Sequence, residues 1–196
     1  MARIIGCEKL TLFEVTQDDN TGAKFGTAIP VPSLMGIDIK DNNSTVTFYS
    51  DDQTEQVINA FTGKTVTITL GYLTNELEAV INGYEMIDGV LVQKKDALGK
   101  NYALAFKAPM SDGGYQYVTL FKGVLAKASD SYKTKEDKVA SQNISITGTF
   151  MPLTFNGMVS MKACDTDKTV SKDTISNWFT TVTMPTGQAT QPVVGA

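Results

Sequence analysis

The sequence predicts a mainly β protein, an antiparallel β-sandwich or split barrel with one or two short flanking helices. Three observations predict it. Apolar residues recur at every second position over most of the chain, turn-forming residues punctuate those runs, and only two stretches carry helical spacing. With 196 residues, 42% of them hydrophobic and 19% charged, the chain has the size of one domain. A chain of this length buries about 70% of its unfolded surface.

The elements follow in order. Lys9–Val15 sets Leu10 and Leu12 on one face and Thr11, Phe13 and Val15 on the other, a pattern suited to a strand covered on both sides. Thr16–Phe25, carrying QDDNTG, reads as a polar connection. Pro30 and Pro32 bracket Val31 in an extended segment, after which Ile37 and Ile39 alternate with Asp38. Asp41-Asn42-Asn43-Ser44 reads as a turn, and Thr45–Tyr49 as a strand with Val46 and Phe48 on its buried face. Thr65–Tyr72 is the cleanest strand, with Val66, Ile68, Leu70 and Tyr72 alternating with three threonines.

A helix is expected next. Thr74 or Asn75 can cap it, with Glu78 at the capping-box position if Asn75 does. Leu77, Val80 and Ile81 form its apolar stripe, and Gly83 suits the left-handed exit. Short strands are expected at Gly89–Gln93, Tyr102–Lys107, Tyr115–Leu125, Gln142–Met151 and Asn156–Ala163, about eight or nine in all. In the second of these, Tyr102, Leu104 and Phe106 share a face, and Asp112-Gly113-Gly114 signals a hairpin. A second helix starts at Ser171, with Ile175, Trp178 and Phe179 as its stripe and Trp178 as a core anchor. Residues 1–183 thus read as one domain and 184–196 as a mobile tail.

Composition excludes several functions. The net charge is −4, and only Arg3 among the 17 basic residues is an arginine, which disfavours clamping of nucleic-acid phosphates. The absence of histidine removes the usual general base and the commonest zinc ligand. Cys7 and Cys164 lie far apart with no CxxC spacing and read as free, buried thiols, with a single disulfide as the less favoured alternative. No signal-peptide core or apolar stretch of membrane-spanning length occurs, so a cytoplasmic protein without a membrane segment is expected. Asp51-Asp52 with Glu55 reads as a solvated turn, because adjacent strand residues point to opposite faces. Asp165-Thr166-Asp167 lacks the glycine and glutamate of a calcium loop, and no phosphate-cradling glycine motif is present. The glycosylation sequons at Asn43 and Asn143 carry no weight without a secretory signal. No catalytic residue, metal or cofactor is therefore expected.

One segment stands out. Lys127–Ser141 is a fifteen-residue stretch with lysines and acids in near balance, set between two alternating strands. Loops of that length are usually functional or disordered. It reads either as a solvated arm with no partner or as an arm laid across a neighbouring subunit through complementary ion pairs. On the second reading Tyr132, Lys133, Lys135, Glu136, Asp137 and Lys138 are the subunit-contact candidates.

An ordered set of strings carries a resemblance. Tyr115–Tyr117 with Phe121-Lys122-Gly123, the loop SYKTKEDK, then ISITGTFMP and Asn177-Trp178-Phe179 are similar to the major tail proteins of long-tailed, non-contractile bacteriophages. Upstream, Phe48-Tyr49-Ser50-Asp51-Asp52 and Gly89-Val90-Leu91-Val92 occupy matching places, so the likeness spans about Lys9 to Val182. The tail MPTGQATQPVVGA matches nothing in the family. The resemblance implies a tail-tube-like fold and a virion subunit, made in the host cytoplasm, that forms hexameric rings stacked into a hollow tube. DNA would pass through the lumen without specific binding. The implied partners are further copies of the chain, a tape measure protein, a tail terminator and distal tail or baseplate proteins. Lys127–Ser141 and Gln17–Phe25 become the candidate assembly elements. The tube protein of a type VI secretion or contractile injection system is the neighbouring alternative. A monomeric β-sandwich binding module belongs to a different class, as does a hydrolase with paired carboxylates, which the spacing does not support.

Overall fold

The computed structural model describes residues 2–50, 53–129 and 143–185, excepting the side chains of 49–50 and 53–55. Ten strands and two helices occur among them: β1 (Glu8–Asp19), β2 (Gly22–Val31), β3 (Leu34–Ser50), β4 (Gln53–Leu70), α1 (Asn75–Asn82), β5 (Glu85–Ile87), β6 (Val90–Val92), β7 (Asn101–Pro109), β8 (Tyr115–Lys127), β9 (Ile144–Phe150), β10 (Ser160–Cys164) and α2 (Lys172–Asn177). The protein is mainly β, as its periodicity predicts. Eight strands form one antiparallel sheet, seven in the order β2-β1-β7-β8-β9-β4-β3 with β10 paired to β8 off that path, and β5 and β6 make a separate small hairpin.

The sheet forks at β8. One edge of β8 pairs with β7 from Tyr115 to Val124, while the other meets β10 along Gln116–Leu120 and β9 along Gly123–Lys127. The two branches curl over a common core. Inward residues of β1 (Leu10, Leu12), β4 (Val66, Ile68, Leu70) and β7 (Tyr102, Leu104, Phe106) join one cluster, and β1 also approaches β3. The alternation read in Tyr102–Lys107 holds: Ala103 and Ala105 take the opposite face, where they meet Phe13, Tyr117 and Trp178. Strand β1 is buried on both faces over Leu10–Phe13, as expected.

Each helix covers a defined surface. Thr74 caps α1 by accepting from the Leu77 amide, and Gly83 ends it at φ 71°. The cap is thus Thr74, not Asn75, and Glu78 is freed from the capping-box role. Its carboxylate pairs instead with Lys127 Nζ at 2.9 Å, where both side chains are largely shielded. Ile81 is buried in the inner core, with Leu77 and Val80 against it. Tyr102 Oη donates to the Val80 carbonyl at 2.8 Å and ties the helix to β7. Burial, aided by the nearby Glu14 carboxylate, pushes the Tyr102 phenol up to about 12. Tyr102→Phe is expected to lower stability by about 1 kcal/mol, read by urea denaturation, since it orphans one carbonyl and leaves the ring in place.

Helix α2 lies on the outer face. Ser171 caps it, and Trp178, buried as a core anchor, packs tilted against the Tyr117 ring with centroids 5.6 Å apart. The small side chains of Ala103 and Ala105 leave room for that aromatic pair.

Several local expectations are overturned. Thr16–Phe25 is no loose connection; its residues belong to the β1–β2 hairpin, with the turn at Asn20–Thr21. Asp41–Ser44 is no turn but strand interior in β3, paired with β4 across a register break. Threonine and asparagine side chains satisfy each other across that pair, so the polar run continues the ladder. Tyr72 lies beyond the end of β4 and is exposed. Strand β6 has a partner, β5, joined to it through Asp88 and Gly89, both at positive φ. Cys7 and Cys164 are free, but half-buried instead of buried, and burial raises the Cys7 thiol.

Candidate assembly surface

The ribbon formed by β3 and β4 outruns the rest of the sheet. Strand β9 pairs with β4 only from Lys64 to Leu70. Beyond that point Asn43–Ser50 and Gln53–Phe61 pair, among the described residues, only with each other. At about 3.3 Å per residue, the two-stranded arm extends roughly 25 Å from the body. Such ribbons are marginally stable in isolation.

The arm is apolar. Val46, Phe48, Val57, Ile58 and Phe61 are between 43% and 56% exposed. This corrects the expectation that Val46 and Phe48 face a core: their alternation is real, but no third strand or helix among the described residues covers that face. Residues paired across strands share a face. Val46 opposite Ile58, with Phe48 and Ala60 beside them, therefore forms one row, while Val57 and Phe61 lie on the reverse. Clustered apolar side chains on a protruding element mark interaction sites. The arm's base is pinned by the Lys64–Asp41 ion pair.

An apolar groove lies elsewhere on the molecule. It measures 620 Å³ and runs between the β1–β2 edge, α1 and α2, lined by Leu10, Pro30, Val31, Leu77 and Phe179. Lys9, at φ 57°, stands at its rim with Nζ 4.5 Å over the Phe179 ring.

Tyr132, Lys133, Lys135, Glu136, Asp137 and Lys138 lie outside the described residues. Lys127, the first residue of that segment, belongs to β8, its amide bonded to Asn82 and its ammonium to Glu78. Within Gln17–Phe25, Asp18 serves the fold. Its carboxylate meets Lys122 Nζ at 2.6 Å and accepts from the amides of Thr154 and Phe155 at 2.9 and 3.1 Å. Burial alone would raise it, but the ammonium and the amides outweigh burial and hold it at about 2. Phe25 packs against Phe121 with ring centroids 6.3 Å apart.

Asp165 and Asp167 bond to backbone and hydroxyl groups of the fold. Asp165 accepts from the Tyr115 amide, and Asp167 from the amide and hydroxyl of Thr169, which together hold it below the ordinary carboxylate range. No group of acids, cysteines or histidines among the described residues is arranged to hold a metal ion. No described helix is long and apolar enough to cross a membrane.

Sequence reasoning missed the arm because Asp41–Ser44, read as a turn, cut Thr45–Tyr49 off from the preceding strand. The signal was present in TVTFY and QVINAF, two alternating runs symmetrically disposed about SDDQTE. No protein-family model matches the chain, and no curated protein matches it.

Proposed function

We propose that this chain is a structural subunit that self-assembles through its β3–β4 arm into stacked rings forming the tail tube of a long-tailed, non-contractile bacteriophage. The exposed apolar arm carries the self-assembly reading. An arm of this kind is a liability on a monomer and a means of association among copies. The ordered resemblance supplies the narrower assignment to a tail tube, a conduit through which DNA is ejected. It also supplies the wider partners: a tape measure protein, a tail terminator and distal tail or baseplate proteins. The subunit would be made in the host cytoplasm and reside in the virion tail. The low arginine content and net charge of −4 suit a conduit that does not retain DNA.

Purified protein at high concentration is expected to show rings or tubes by negative-stain electron microscopy. A strictly monomeric species at all concentrations would overturn the proposal. The charged segment has its own test. Deleting Tyr132–Val139 is expected to leave a folded subunit by circular dichroism and to impair tube formation. Normal tubes from that variant would make the segment a solvated arm.

A further inference from the structure

We infer that the arm of one copy seats in the β1–β2–α1–α2 groove of a second copy, so that association runs head to tail. The inference rests on the self-assembly reading above and specifies the contact.

Geometry forbids the arm from filling its own groove. The groove is bounded by Pro30, Val31 and Pro32, immediately before the start of β3 at Leu34. The arm begins at Asn43, nine residues further along the same strand, and points away from Leu34. Nine extended residues span about 30 Å, so the two surfaces lie at opposite ends of β3. Only another copy can bring them together.

The two surfaces match in chemistry. The arm offers the row of Val46, Phe48 and Ile58, and the groove offers Ala28, Pro30, Leu77 and Phe179 over a floor of buried Leu10 and Val31. Charge is complementary as well. Between Asn42 and Phe61 the chain carries Asp51, Asp52 and Glu55 and no basic residue, whereas Lys9 is the charged residue in the groove lining. Strand β2 is an edge, but Pro30 and Pro32 have no amide hydrogen to offer there, so the groove accepts side chains in preference to an added strand.

The consequence is a symmetry statement. An arm docking into a different surface is a heterologous contact, which closes into a ring or propagates as a filament and does not stop at a two-fold dimer.

Two variants test it. Val46→Ser with Phe48→Ser removes the arm's apolar row; Ser176→Arg with Thr180→Arg places exposed cations across the groove. Each variant, checked for fold by circular dichroism, is expected to associate at least about 10-fold more weakly than the unaltered chain in sedimentation velocity. Mixed in equal amounts, the two are expected to form a two-chain complex and nothing larger, because one intact arm and one intact groove remain. A groove variant that assembles like the unaltered chain overturns the inference and leaves self-assembly standing. A mixture that stays monomeric, at concentrations where the unaltered chain assembles, does the same. Failure of the unaltered chain to associate overturns self-assembly itself. A charge-reversal pair provides a second readout: Lys9→Glu is expected to weaken association several-fold, and Asp51→Lys with Asp52→Lys to restore it. Absence of that restoration overturns the charge pairing between the acidic arm and Lys9.

Discussion

Replacing Phe150 with alanine is expected to lower stability by about 3–5 kcal/mol, the range for large aromatic truncations in a closed core. At about 2–4 °C per kcal/mol for a domain of this size, the melting temperature should fall by roughly 10 °C. Phe150 is fully buried in the core at the fork of the sheet. Its ring lies over two glycines: a Cβ at Gly123 would sit 2.6 Å from ring carbons, and one at Gly148 3.3 Å from the ring edge. Gly123 and Phe150 are also cross-strand partners, so the ring covers the bare backbone opposite it. Gly123→Ala should accordingly be destabilising alone but close to neutral in the Phe150→Ala background, where the methyl enters vacated space. Additive effects of the two changes, measured by chemical denaturation, would show that the ring and the glycine are energetically independent.

The second large effect belongs to Asp18. Its side chain is 4% exposed, and it joins the β1–β2 hairpin to β8 and to the backbone at Thr154 and Phe155. Asp18→Asn is expected to cost about 3 kcal/mol at pH 7, because Lys122 and two amides lose a charged acceptor in a shielded site. The pH dependence follows from the carboxyl being held at about 2, below the ordinary value near 4. The unfolded chain binds the proton first as pH falls. The contribution, about 2 kcal/mol, is therefore complete above about pH 4 and disappears between about pH 4 and pH 2. The gap between the unfolding free energies of the two proteins should narrow by about 2 kcal/mol over that window. A gap that stays constant from pH 7 to pH 2 would assign the stability to packing instead of charge.

Period-two alternation made the mainly β character legible, and it placed the correct faces of β1, β4 and β7. Capping residues located both helices, since Thr74, Gly83 and Ser171 act locally. Long-range consequences were not legible. Asp18 resembled any acid in a turn-rich stretch, because its partners Lys122, Thr154 and Phe155 are over a hundred residues away. Val46 and Phe48 carry the alternation of a half-buried strand, and that pattern is the same whether the covering layer is the chain's own body or another molecule. Asp41–Ser44 misled for a related reason: turn-forming side chains are also good cross-strand hydrogen-bonding partners. The apolar groove is assembled from β1, β2, α1 and α2, so no contiguous string announces it.

The register break at the base of the arm has a consequence for scale. Asn42 faces Gly63 but Asn43 faces Phe61, which leaves Thr62 as an extra residue on β4, its hydroxyl bonded to the Asn42 carbonyl at 2.9 Å. An extra residue on one strand bends the ribbon and increases its local twist. Gly63 is wedged there against the Phe150 carbonyl, which a side chain would strike. The ribbon's direction is thereby fixed at a single joint seated on the core. For copies joined through the arm, the distance and rotation from one to the next would be a property of that joint, so the repeat of the whole assembly would be encoded in one unpaired residue.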